Sequence, residues 1–171
     1  MAELHPPLDP GYRIELFAEQ EAVTQEDVIE LWERGGVVSG ATAARRVHEI
    51  LFVGIDRHDE PVALTTAYLQ RNLQLGLDLW YCRAWTAREH RMGNLALVLA
   101  LRSRDHLERG YVDGDDMRGR GLVYEIENAG LRTFNDALWF PIGVTFIGEN
   151  ERGDHVRIRY FPGARAPEPP A

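Results

Sequence analysis

Cysteine is all but missing from the sequence. Cys82 stands alone, so no disulfide can close within the chain and no thiolate cage for zinc can be assembled. A reducing compartment suits such a chain. Residues 1 to 10 contain Pro6, Pro7 and Pro10 and no apolar core behind a basic start, which is the reverse of a secretory signal. No apolar run approaches the length needed to cross a bilayer, so a soluble, cytoplasmic protein is expected. Positive charge is also short: 27 acidic against 19 basic residues give a formal net charge of -8. No global field draws this chain to nucleic-acid phosphate or anionic lipid, and neither nucleic acid nor a membrane is expected as a partner.

Several chemical signatures are lacking as well. The six histidines show no metal-ligand spacing, and no metal site is expected. The acidic run Asp113, Asp115, Asp116 does not make a calcium loop, because Met117 sits where an oxygen ligand is wanted. Neither a Gly-x-Ser-x-Gly elbow nor a Gly-x-x-x-x-Gly-Lys-Ser/Thr loop occurs, which removes the commonest hydrolase and nucleotidase designs.

What is present is enough for one core: 171 residues, 44% of them hydrophobic. Prolines mark both ends, giving a flexible tail over residues 1–10, a single domain over 11–163 and a proline-rich tail over 164–171. Alternating apolar and polar residues predict a strand over 12–17. Thr24, with Asp27 three residues on, predicts a capped helix that stops at Gly35-Gly36, and Ser39 a second helix. Strands are expected over 50–55 and 61–69, paired antiparallel across the polar turn 56–60, and again over 77–86.

A helix follows over 94–108, where Ala96, Ala100 and Ser103 allow a close approach to a sheet. After a polar loop over 110–121 come a strand over 122–127, a short helix over 131–139 and strands over 142–147 and 155–161. This order predicts an α/β fold with a mixed, mostly antiparallel central sheet and helices on both faces, the long helix crossing between parallel strands.

The most informative stretch is residues 84–96. A strand ends, a short polar loop with one glycine follows and a helix begins, so unsatisfied backbone N–H groups converge where the helix dipole favours an anion. Arg91 adds a fixed positive charge there. Arg91-Met92-Gly93-Asn94-Leu95-Ala96 resembles the R/Q-x-x-G-x-G/A acetyl-CoA turn of the GCN5-related N-acetyltransferase (GNAT) family, and the element order is similar over nearly the whole ordered chain. Asn94 departs from the family pattern at its middle glycine, and Arg88 stands where many members have proline.

The resemblance implies that Trp85 and Thr86 bond the pantetheine arm and that Arg91, Met92, Gly93, Asn94, Leu95 and Ala96 hold the pyrophosphate of acetyl-CoA, the acyl donor. It implies an N-acetyltransferase acting on a small-molecule amine, with homodimer formation left open. Catalytic candidates are Asp78, Glu125 or its neighbour Glu127 as general base, and Tyr160, the only late phenol, as acid. Strand alternation puts Glu125 and Glu127 on one face and Tyr124 on the other. Many family members place an acidic tyrosine near the start of the fourth helix, where this chain has Phe134, Trp139 and Phe140. With Asn94, that gap also fits a catalytically silent module binding a CoA-type ligand or a protein partner.

Overall fold

A computed structural model describes residues 5–167. Of the two proline-rich tails, residues 1–4 and 168–171 lie outside the described residues. The elements are β1 (Arg13–Leu16), α1 (Gln25–Arg34), α2 (Gly40–Arg46), β2 (Ile50–Ile55), β3 (Pro61–Asn72), β4 (Leu77–Thr86), α3 (Leu95–Asp113), β5 (Gly121–Ile126), α4 (Ala129–Arg132), β6 (Leu138–Trp139), β7 (Val144–Glu149) and β8 (His155–Tyr160). The strands are hydrogen-bonded in the order β1-β2-β3-β4-β5-β8-β7-β6, a mixed and mostly antiparallel sheet in which β4 and β5 run parallel. Contacts group the chain into two compact units, one formed by the chain up to Ala67 with Ala84–Ser103, the other by Tyr68–Arg83 with Arg104 and the residues after it.

In the first unit β1, β2 and the first half of β3 pair antiparallel. Alternation along β2 then decides which helix meets which face. Val53 and Ile55 join Val28, Leu31 and Trp32 of α1 and Ala43 of α2 in one cluster. Phe52 lies in a second cluster with Leu95, Val98 and Leu99 of α3. Helices therefore cover both faces, as the sequence predicts. Gly54 sits beneath α3, and a Cβ there would stand 3.1 Å from a Leu95 methyl. Ser103, at the sheet-facing side of α3, bonds Thr65 at 2.7 Å and the Leu99 carbonyl at 2.9 Å, so its buried hydroxyl is fully used.

The second unit holds β4, β5, β8, β7 and β6. Trp80, Tyr81 and Cys82 pair parallel with Leu122, Val123 and Tyr124, and the pairing extends no further. Cys82 is buried and its thiol is pushed up to about 12, so it is a small core residue rather than a nucleophile.

Two expectations need correction in this unit. The helix over 94–108 instead runs as α3 to Asp113, straight through Gly110. Tyr111 is the reason: it is buried against Phe161, and its hydroxyl accepts from Arg120 at 3.0 Å, which outweighs the roughly 1 kcal/mol that an internal glycine costs a helix. Gly114, at φ +85, then ends the helix.

The helix expected over 131–139 is a single turn, α4, capped by Asn128, followed by irregular chain and β6. Carbonyls of this irregular chain are taken by two buried guanidiniums. Arg157 donates to the carbonyls of Phe134 at 3.2 Å and Asp136 at 2.9 Å, and Arg104 to those of Pro141 at 3.0 Å and Ile142 at 3.2 Å.

Helix α1 starts as its sequence specifies. The Thr24 hydroxyl accepts from the Asp27 N–H at 3.2 Å, and the Asp27 carboxylate accepts from the Thr24 N–H at 2.8 Å. The Thr24 N–H and the Thr24 hydroxyl, each donating to the carboxylate at 2.8 Å, hold the Asp27 carboxyl below its ordinary range. Replacing Thr24 by Ala is expected to lower unfolding free energy by about 1 kcal/mol, seen as a lower urea midpoint at unchanged slope.

Candidate functional site

Strand β4 delivers the chain to residues 86–95, where the informative turn lies. Thr86 is buried at the strand end, and its carbonyl accepts from Arg91 Nε at 3.0 Å, so the guanidinium folds back over the strand terminus. Ala87 bonds through its N–H to the Val62 carbonyl at 2.8 Å, which ties the loop to β3. Gly93 has φ +94, a left-handed conformation that glycine adopts without steric cost. The first bond of α3 runs from the Val98 N–H to the Asn94 carbonyl at 2.8 Å, leaving the N–H groups of Leu95, Ala96 and Leu97 without a helical acceptor. A 19-residue helix presents its positive dipole end at these donors. The left-handed position thus falls on Gly93, and Asn94 takes part through its side chain, donating to the Pro7 carbonyl at 3.2 Å.

Beside this turn a cavity of about 670 Å³ opens between the end of α1, the β2–β3 turn and the loop after β4. Arg34, Arg88 and Arg91 line it together with Trp85, Glu60 and His90. The side chains of Arg34 and Arg88 make no hydrogen bond or ion pair among the described residues. The indole of Trp85 packs against the cluster under α1, directly beneath Gly35. Of the residues predicted to hold an acyl donor, Trp85 and Arg91 line this cavity and the others continue into the adjoining turn with its N–H donors, while Asp56, Glu60 and Glu89 line the cavity beside the arginines.

The predicted catalytic residues are not brought together. Asp78 lies near the start of β4, paired with Arg71 at 3.2 Å, and its carbonyl accepts from the Arg120 N–H. Tyr160 ends β8 opposite Gly121, at the beginning of β5, with its side chain half exposed. Glu125 is at the other end of β5, opposite Val156. Just past the last parallel pair, Glu125 and Glu127 line a narrow pocket with Tyr68, Tyr81, Cys82 and Arg83. Tyr124 points away from it, as alternation requires. Its hydroxyl is buried without a partner, and burial raises its pKa well above 10.

Sequence reading overlooked what surrounds Glu125. One oxygen accepts from Asn150 at 3.3 Å and the other faces Arg152 at 3.3 Å, and Arg152 also pairs with Glu127 at 3.6 Å and Asp154 at 2.8 Å. The spacing Asn150-x-Arg152-x-Asp154 in a glycine-bounded turn was the available signal. Bonds from Arg152 and Asn150 hold the Asp154 carboxyl below its usual range.

Neither a family model nor a curated protein sequence matches the chain. Solved structures do. The fold is similar to that of yncA, an acetyltransferase from Salmonella typhimurium with its cofactor acetyl-CoA, at TM-score 0.63 and 11% identity over 92% of this chain and 98% of that one. It is similar to the ribosomal-protein-S5-alanine acetyltransferase of Vibrio fischeri at TM-score 0.57 and 7% identity, over 95% and 99% of the two chains. The AtaTR complex bound with acetyl-CoA matches at TM-score 0.57 and 10% identity, over 88% and 93%. The chain thus has the fold of the GNAT acetyltransferases, as the resemblance at residues 91–96 implies.

Gly35 has an ordinary right-handed helical conformation, so alanine fits its backbone, yet a Cβ would stand 2.5 Å from the Trp85 ring. Gly35→Ala is expected to displace the indole into the cavity, shift the tryptophan emission and lower stability by roughly 2 kcal/mol. Adding Trp85→Leu should recover most of that loss in denaturant unfolding.

Proposed function

We propose that the protein is an acyl-CoA-dependent N-acyltransferase, moving an acetyl group from acetyl-CoA to the amine of a small metabolite. The observation that carries this reading is the strand-turn-helix at residues 86–95, with its unsatisfied N–H groups, left-handed Gly93 and adjoining arginines. Such a cradle matches a pyrophosphate in charge and shape. The fold shared with acetyl-CoA-bound acetyltransferases supports the same donor.

The chemistry asks little of side chains. The acceptor nitrogen must be neutral to attack the thioester carbonyl carbon; the C–S bond then breaks, the thiolate takes a proton and the amine loses one. Backbone N–H groups where β4 ceases to pair are suited to polarising the carbonyl oxygen. Glu127 is the freer of the two pocket carboxylates, since Glu125 has both oxygens engaged. We assign it the proton from the amine, with Glu125 positioning Arg152.

A small amine suits a pocket with two carboxylates, lined also by Tyr68, Tyr81 and by Arg83, whose guanidinium lies 4.3 Å over the Tyr68 ring. AtaT is solved in complex with acetyl-methionyl-tRNA, but a net charge of -8 opposes a comparable acceptor for this chain. The missing late tyrosine supports a second reading, a silent module that binds the donor without turnover. Phe134 and Phe140 are largely exposed in that region and offer no proton.

Calorimetry with acetyl-CoA is expected to show binding that Arg91→Glu weakens by at least tenfold, with a matching loss of the ligand-induced rise in melting temperature. An amine panel should then release free CoA, and Glu127→Gln should lower that rate while leaving acetyl-CoA binding in place. Absence of heat and of any melting shift at millimolar acetyl-CoA would refute the donor. Binding without release for every amine would favour the silent module.

A further inference from the structure

The residues before β1 do not leave the turn open. Leu8 is partly buried on the cluster of Ile14, Phe52, Leu95, Val98 and Leu99. The Pro7 carbonyl accepts from the Asn94 side chain at 3.2 Å. Asp9 lies so close to Gly93 that a Cβ on that glycine would overlap its carboxylate oxygen. Tyr12 bonds His90 Nδ1 through its hydroxyl at 2.9 Å, with the two rings edge to face. Three successive attachments thus fall on residues 90–94, and they come from a segment outside the regular fold.

On the far side of this segment the chain is fixed. Arg13 pairs with Glu15 at 2.8 Å and Asp59 at 2.7 Å, and β1 enters the sheet from there. Within the segment, between the Asp9 attachment and Tyr12, sits Gly11 at φ +101, a conformation that only glycine reaches easily. It gives the chain a bend that can act as a pivot.

We infer that residues 7–12 form a strap across the anion-binding turn, with Asp9 competing for the place of the donor's phosphates. The inference rests on the acyl-CoA reading. A carboxylate against Gly93 and a pyrophosphate on the adjoining N–H groups repel each other. The donor therefore binds only molecules in which residues 7–10 have swung out about Gly11, Tyr12 keeping its bond to His90. The apparent dissociation constant is raised by the inverse of that open fraction. None of the strap's polar contacts is deeply buried, so opening exposes little besides Leu8, as a low-stability element should.

The test uses the full chain and CoA itself. Asp9 is exposed, so Asp9→Ala and Asp9→Asn leave the fold intact. Calorimetric titration with CoA is expected to show roughly tenfold tighter binding to both variants than to the original chain. In the original chain, CoA should increase hydrogen exchange over residues 7–12 while protecting residues 93–97. Binding to all three proteins with equal affinity overturns the strap and leaves the acyl-CoA reading standing. Binding to the variants alone supports both. No binding to any of the three up to millimolar CoA removes the reading and the strap with it.

Discussion

Much of this molecule depends on how short the parallel pairing of β4 with β5 is. Only three residue pairs, ending at Cys82 and Tyr124, hold the two strands together. Where a ladder ends, its N–H and C=O groups must find other partners or face a ligand. The carboxylates of Glu125 and Glu127 stand just beyond that end, beside Tyr68 and Tyr81. A longer ladder would have buried this position in a continuous sheet and left no pocket.

The second unit keeps an irregular segment in place without helix bonds of its own. Arg157 is almost entirely buried and has no carboxylate bonded to it; carbonyl oxygens and the face of Trp139, 4.0 Å from the guanidinium carbon, surround its charge. Burial lowers its pKa, but arginine starts so high that it stays charged. Arg104 does the same for Pro141 and Ile142, with Asp105 at 2.6 Å. Carbonyl-to-guanidinium bonds thereby hold the irregular chain on either side of β6. This is the region where the family resemblance would have placed a helix and its tyrosine.

Charge is distributed differently around the two parts of the proposed chemistry. In the first unit the turn at 86–95 gathers Arg34, Arg88 and Arg91, two of them unpaired, in a chain whose overall charge is strongly negative. In the second unit the pocket carboxylates are tied through Arg152 to Asp154 and Asn150. The net charge conceals this local difference.

Features governed by residues close in sequence were legible from the chain alone. The Thr24–Asp27 capping box, the bounds of β4 and the turn ahead of α3 all follow from side chains within a few positions of one another. Alternation likewise put Tyr124 on the opposite face from Glu125 before any contact was known. What tertiary structure decided involves partners far apart in sequence. Tyr111 carries α3 past Gly110 because Phe161 and Arg120 receive it. Arg157 unmakes a predicted helix from 20 residues or more away, and Arg152 engages Glu125 across 27. Pro7 reaches Asn94 across 87 positions. Spacing along a chain fixes local hydrogen bonds, but a buried charge or a strap takes whichever partner the packed fold presents.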